Sequence, residues 1–128
     1  MIETQLDKSK NLTIFTVSGT VTAREFGSAI RSFYAGDVTL YALWDLRQGN
    51  IESTEDEVWN LARSVRTYNL SIRTAGKTAL VAGEGALFGL ARMYQLIADT
   101  LALPFEIRVF SNIEEAYHWL GGGDVPTP

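Results

Sequence analysis

Hydrophobic and polar residues recur along this chain with two periods, one typical of strands and one typical of helices. The most strongly patterned stretch runs from Lys77 to Leu103. In it an apolar strand at 78–82 meets a Gly-Glu-Gly turn and continues as an apolar helix from Ala86. A strand that is apolar on both faces is expected in the middle of a sheet. The pattern therefore predicts a strand-turn-helix unit at the centre of the fold.

Two strands and a helix are predicted before this unit. Ile2–Leu6 and Leu12–Val17 have the pattern of a hairpin whose first strand is an edge strand and whose second is an interior strand. Gly19 is expected to end the hairpin. A Thr-x-x-Glu capping box at 22–25 then begins a helix that stops at Gly36.

A third strand is predicted at 41–46, followed by a polar loop and a helix that starts near Ser53 and Thr54. Acidic residues at 55–57 favour that helix start, because they lie at the positive end of the helix dipole.

The last elements follow Pro104, which ends the central helix. Residues 105–109 alternate as a half-exposed strand does, and a Ser-x-x-Glu capping box at 111–114 opens a final helix. The segment 122–128 has no apolar pattern and is expected to be a flexible tail.

The predicted order of elements is ββαβαβαβα. This order predicts an α/β fold, a single-domain sandwich over residues 1–121 in which helices pack on a mostly parallel five-stranded sheet with an antiparallel edge.

Composition excludes several classes of site. The 128 residues include no cysteine and one histidine, His118, so neither a disulfide nor a multi-histidine metal site is expected. A formal charge of −4 argues against a nucleic-acid partner. No apolar run approaches the roughly 20 residues that cross a bilayer. We expect a cytoplasmic protein with no cofactor, no metal, no nucleic-acid partner and no membrane span.

Polar residues lie at and beyond the carboxyl end of the third strand, where ligands collect in open α/β sheets. Together with aromatic and basic residues of the next two helices, they form a candidate ligand-binding set. Its members are Asp45, Arg47, Trp59, Phe88 and Arg92.

The glycines at 83, 85 and 89 are spaced GxGxxxG, which differs from the dinucleotide-binding GxGxxG, and the P-loop Lys-Ser/Thr is missing. Tight turning and close packing of helix on sheet explain these glycines without a nucleotide.

Several segments carry a family resemblance, and the run at 88–94 is the most specific of them. They are Trp44-Asp45-Leu46, Phe88–Tyr94, Leu103-Pro104-Phe105, Val109-Phe110 and Glu114–Leu120. The chain resembles the SpoIIAA-like family of small bacterial proteins over about residues 1–121. The resemblance implies a fold shared with STAS domains and related to CRAL-TRIO lipid-binding domains. It also favours binding or regulation over catalysis.

The resemblance also raises the hypothesis of a phosphorylation site. In anti-sigma-factor antagonists a strand ending in Asp-Leu leads to Asp-Ser-x-Gly-Leu, whose serine is phosphorylated to break partner binding. Ser53 stands near the matching position here, but the Gly-Leu is replaced by acidic residues that would repel a phosphate. Helix capping by Ser53 and Thr54 is the simpler interpretation.

Two classes of function follow from these observations. The first is a non-enzymatic binding or regulatory module that holds a small apolar or lipid-like ligand or a protein partner. The second is a small acid-base enzyme that uses Asp45 or Glu52. A raised carboxylate pKa in a closed cleft would favour the enzyme, whereas an apolar pocket would favour the binder.

The central helix also predicts a homodimer. Beside the stripe expected to pack on the sheet, a second apolar set includes Gly89, Met93 and Leu96 and leaves only a narrow polar seam. Either neighbouring helices of the same chain or a second copy across a two-fold axis would cover this set.

Overall fold

The computed structural model of the protein describes residues 1–121. They form one sheet in the order β1-β2-β3-β4-β5, in which β1 is antiparallel to β2 and the other neighbours are parallel. The strands are β1 (Ile2–Asp7), β2 (Leu12–Thr22), β3 (Tyr41–Glu52), β4 (Lys77–Val81) and β5 (Glu106–Phe110), and the helices are α1 (Ala23–Ala35), α2 (Glu55–Ser64), α3 (Ala86–Asp99) and α4 (Ile113–Trp119). The predicted α/β fold with an antiparallel edge strand is confirmed.

Three helices cover one face of the sheet and one helix covers the other. Each strand from β2 to β5 lies beside the one before it, so right-handed crossovers place α1, α2 and α3 on the same face. The core on that face includes Phe15, Trp44 and Leu80. On the opposite face, α4 packs against Leu43 and Ala79.

β2 and β3 extend well beyond their predicted ends. Gly19, expected to end the hairpin, lies inside β2 with a φ of +69°. After a register shift between Thr16 and Ser18, the two strands pair in parallel again as far as Thr22 and Glu52. The loop predicted after residue 46 is therefore wrong, because pairing with β2 keeps these polar residues extended as strand.

Side-chain caps fix the starts of α1, α2 and α4. The predicted capping box between Thr22 and Glu25 is present, and Gly36 is the C-cap of α1. The predicted box that begins at Ser111 is wrong, because the side chain of Asn112 accepts from the backbone N–H groups of two residues in the first turn of α4. The Asn112 carboxamide therefore caps α4 from the position after the predicted Ser111, and it satisfies backbone donors that have no partner within the helix.

The glycine turn before α3 is explained by backbone conformation. Gly85 has a φ of +93°, which favours glycine. Apart from its chain neighbours and the backbone of its own helix, a Cβ at Gly83, Gly85 or Gly89 would have no heavy atom within 4 Å. Close packing of helix on sheet, the second reason predicted for these glycines, is therefore wrong.

In the part of the chain that the structure describes, no helix is long and apolar enough to cross a membrane.

Candidate functional site

An apolar cavity lies between the sheet and helices α1, α2 and α3, with a volume of about 100 Å³. Strand residues that point to the three-helix face form its floor, including Trp44, Leu46 and Leu80, and helix residues such as Phe26 and Leu90 form its roof. An engineered apolar cavity of about 150 Å³ stays dry and binds benzene. The space between these elements therefore suits a small apolar molecule.

One end of the cavity carries a buried arginine. Arg73 lies on a short 3₁₀ turn before β4 and is only 2% exposed. Its Nη2 donates to Thr78 Oγ1 at 2.8 Å and to the Lys77 carbonyl at 3.2 Å, and its Nε donates to the Thr39 carbonyl at 3.1 Å. The guanidinium carbon lies 4.2 Å from the centroid of the Phe105 ring. These contacts hold the cation at the amino end of the parallel strands.

Two tyrosines lie beside this guanidinium and also line the cavity. Arg73 Nη1 donates to Tyr34 Oη at 3.4 Å. Burial raises the pKa of Tyr94 well above its usual range, and the neighbouring Tyr34 raises it further. Burial also lowers the pKa of Arg73, although a guanidinium stays charged in proteins. The polar end of the cavity therefore holds one cation and the hydroxyl groups of two tyrosines.

The charge of Arg73 has no acidic partner in the described part of the chain. Within residues 1–121, the one ion pair with a nitrogen–oxygen distance within 4 Å joins Arg47 to Asp45. The acceptors around Arg73 are backbone carbonyls and hydroxyls. A buried cation that is solvated only by neutral groups gives the cavity a positive potential.

Asp45 and Arg47 form an ion pair with each other, and neither lines the cavity. Arg47 Nε donates to Asp45 Oδ1 at 2.9 Å, and Nη2 donates to Oδ2 at 2.8 Å. These hydrogen bonds hold the pKa of the Asp45 carboxyl below its usual value. Because Trp44 and Leu46 line the cavity and strand side chains alternate, Asp45 lies on the opposite, α4 face. Its carboxylate is thus ionised and turned away from the apolar space.

The other three members of the predicted ligand-binding set also lie outside the cavity lining. Trp59 is 40% exposed, with the Arg63 guanidinium carbon 5.6 Å from its ring centroid. Phe88 packs on the apolar core, and the exposed Arg92 donates from Nη1 to Gln95 Oε1 at 3.1 Å. The structure does not bring the five residues together, and their role in ligand binding stays a prediction.

Ser53 does line the cavity, at the end of β3 that lies away from Arg73. It is half-buried, and its Oγ donates to the Thr54 carbonyl at 3.3 Å. The cap of α2 is Thr54, whose Oγ1 accepts from the Glu57 N–H at 3.2 Å while the Glu57 carboxylate accepts from the Thr54 N–H at 2.9 Å. Capping thus falls to Thr54 alone.

Among the residues predicted to form a dimer interface, Met93 packs beside the cluster that Val58 and Ala62 of α2 form with α3. Gly89 is exposed, and Leu96 is 54% exposed. A helix of the same chain therefore covers part of the second apolar set.

Sequence reasoning missed Arg73 and Tyr34. Arg73 follows Ile72 in a short polar connection, where an arginine is ordinarily solvent-exposed. The one available signal was the nearby Ala75-Gly76, since a Cβ at Gly76 would overlap the Leu40 carbonyl oxygen. A close approach of this kind marks a connection that lies against the sheet.

Metal binding has no support in the arrangement of side chains. Over residues 1–121, no group of three His, Cys, Asp or Glu residues could hold a metal ion.

A family model described as SpoIIAA-like matches residues 12–121. The chain belongs to the SpoIIAA-like family. The matched range runs from β2 to α4, so all four parallel strands under the cavity belong to the family domain. A comparison with curated protein sequences found no match.

Solved structures share this SpoIIAA-like fold at low sequence identity. An uncharacterised protein of Shewanella loihica PV-4 with a SpoIIAA-like fold superposes with a TM-score of 0.56 at 13% identity, over 94% of this chain and 92% of that one. The Bacillus cell fate determinant SpoIIAA in its phosphorylated form gives 0.52 at 9% identity, over 93% and 99%. The anti-sigma factor antagonist SpoIIAA in its unphosphorylated form gives 0.50 at 10%, over 95% and 99%. These similarities establish the fold.

Proposed function

We propose that this SpoIIAA-like protein is a non-enzymatic binding or regulatory module that holds a small apolar ligand in the cavity under helices α1, α2 and α3. The cavity itself is the observation that carries the proposal, because small-molecule sites are concave, mostly apolar and equipped with a few polar groups. Its volume of about 100 Å³ favours a short-chain or single-ring ligand over a full lipid chain.

The ionised state of Asp45 supports binding over acid-base catalysis. A general acid or base works best when its pKa lies near the working pH, and hydrogen bonds from Arg47 move the pKa of Asp45 in the opposite direction. Glu52 is exposed at the end of β3 and does not line the cavity.

A matched pair of substitutions on α3 tests the proposal. Ala91 is buried and lines the cavity, whereas Ala86 is exposed on the same helix. We expect Ala91→Leu to occupy the space and weaken binding of 1-hexanol by about tenfold or more, since one leucine side chain fills a volume of this order. Ala86→Leu should leave binding unchanged. Backbone amide shifts in a two-dimensional NMR titration measure both affinities.

Two outcomes of this titration would contradict the proposal. Absence of saturable binding of 1-hexanol and benzene to the unmodified protein would reject the cavity as a ligand site. Equal affinities in the Ala91→Leu and Ala86→Leu variants would place the bound molecule elsewhere.

A second candidate function is a phosphorylation switch at Ser53 that controls a protein partner. Its support is the family fold together with the position of Ser53 between β3 and α2. The half-buried hydroxyl and the acidic first turn of α2 weigh against it. Incubation with a cognate kinase and ATP should add one phosphate at Ser53, and an unmodified intact mass would count against the switch.

We also propose that the module forms a homodimer through the exposed residues of α3. The proposal rests on Leu96, which is 54% exposed, with Gly89 exposed on the same helix.

A further inference from the structure

The cavity is chemically asymmetric along the strands. Thr78 pairs with Ala42 in the sheet, and Arg73 donates to the hydroxyl of Thr78. The cation therefore lies at the Ala42 end, whereas Leu46 lies four residues further along β3, or about 13 Å at ~3.3 Å per residue. Apolar side chains line the floor between these points. A ligand that fits this space has a polar head at one end and an apolar body.

The charge that the ligand's head group should carry follows from the surroundings of Arg73. Its Nε and Nη2 are occupied by carbonyls and the Thr78 hydroxyl, while Nη1 has only the Tyr34 hydroxyl, at 3.4 Å, as a partner among the described residues. Nη1 carries two hydrogens, so one donor is left for another acceptor. Tyr94 lies beside Arg73 and also lines the cavity, and its hydroxyl donates to no acceptor among the described residues.

We propose that the ligand is a small apolar anion, a monocarboxylate, whose carboxylate accepts from Arg73 Nη1 and from the Tyr94 hydroxyl while its alkyl or aryl body fills the apolar part of the cavity. This inference rests on the proposed function and names the ligand class of the same site. A carboxylate supplies the charge that the buried guanidinium lacks within residues 1–121. An amine would meet the cation and be excluded.

Hexanoate, 1-hexanol and hexylamine form a matched set of probes, because they share a six-carbon chain and at pH 7 differ in charge. For the unmodified protein, we expect the dissociation constant of hexanoate to be lower than that of 1-hexanol by about tenfold or more, as for a charge-assisted pair in a site shielded from water. Hexylamine should not bind. Isothermal titration calorimetry, with amide shifts to locate each probe, measures all three.

Each outcome decides between the two proposals. If 1-hexanol binds in the cavity and hexanoate binds no more tightly, the anion inference is wrong and the apolar site stands. If no probe binds, the proposed function itself fails. If hexanoate binds but shifts only surface amides, the inference is also wrong.

Substitution of Arg73 tests whether its charge causes the preference for hexanoate over 1-hexanol. Arg73→Met should reduce the preference for hexanoate over 1-hexanol to within about twofold, whereas Arg73→Lys should retain part of it because the charge remains. Tyr94→Phe is a milder variant that keeps the arginine contacts, and it should weaken hexanoate while leaving 1-hexanol unchanged. An undiminished preference in a folded Arg73→Met variant would overturn the assignment.

Discussion

Asp45 is a buried carboxylate that two side-chain hydrogen bonds from Arg47 stabilise on the face opposite the cavity. We expect Asp45→Asn to lower the free energy of unfolding by about 1 kcal/mol at pH 7, because Arg47 is partly exposed and solvent screens the pair. Urea unfolding of both proteins measures the difference. The exposed Asp37, changed to Asn, is the matched control and should have little effect.

The contribution of Asp45 should also depend on pH. Its folded-state pKa is lowered, so the stabilisation is fully present above the unfolded value of about 3.9 and is lost as the pH falls through the folded-state pKa. The difference between the unmodified protein and Asp45→Asn should therefore be constant from pH 7 to 5 and shrink below about pH 4. A difference that grows on acidification would contradict this account of the ion pair.

Ile72 and Arg73 reverse the usual relation between hydropathy and burial. Ile72 is 58% exposed while Arg73 is 2% exposed. Arg73 is buried because its planar guanidinium, with five donors, reaches carbonyls before β3 and at the start of β4 at the same time. No one-dimensional pattern encodes that requirement, since the carbonyls belong to segments far apart in the chain.

At the start of α2, the residue that caps the helix and the proposed phosphorylation site are neighbours in the chain. Thr54 accepts from the Glu57 N–H, whereas Ser53 bonds only the neighbouring carbonyl. We expect Thr54→Ala to cost about 1 kcal/mol of stability and Ser53→Ala to cost less than about 0.5 kcal/mol. Thermal unfolding followed by circular dichroism compares the two single variants. Equal losses would show that Ser53 shares the capping role that the geometry assigns to Thr54.

The carboxyl-terminal parts of β2 and β3 show how pairing overrides local composition. Residues 47–52 are mostly polar and have the composition of a loop, yet residues 48–52 pair with β2 after the register shift. The extension lets Ile51 contribute to the cavity lining and brings Ser53 to its edge. Strand length here depends on the partner strand, because ladder hydrogen bonds satisfy the backbone whatever the side chains.

The proposed homodimer depends on the part of α3 that α2 leaves uncovered. Met93 packs within the chain, so Met93→Glu would disturb the fold as well as an interface. Leu96→Glu is the cleaner variant, and we expect it to convert a dimer into a monomer because it puts a charge into an apolar contact. Ile72→Glu, at another exposed apolar residue, should leave the dimer intact. Light scattering that finds the unmodified protein monomeric at tens of micromolar would reject the homodimer.

Hydrophobic periodicity and local capping signals determined the number, type and order of the main helices and strands, the edge position of β1 and the start of α1. These features depend on which face of each element is apolar and on which residues can cap a helix. Tertiary structure decided how far β2 and β3 extend, which face carries Asp45, and that Arg73 is buried beside an apolar cavity. These features arise from backbone groups and side chains that meet only when distant strands are placed side by side. The candidate site is therefore a property of the packed sheet and helices, whereas the fold is already present in the pattern of the chain.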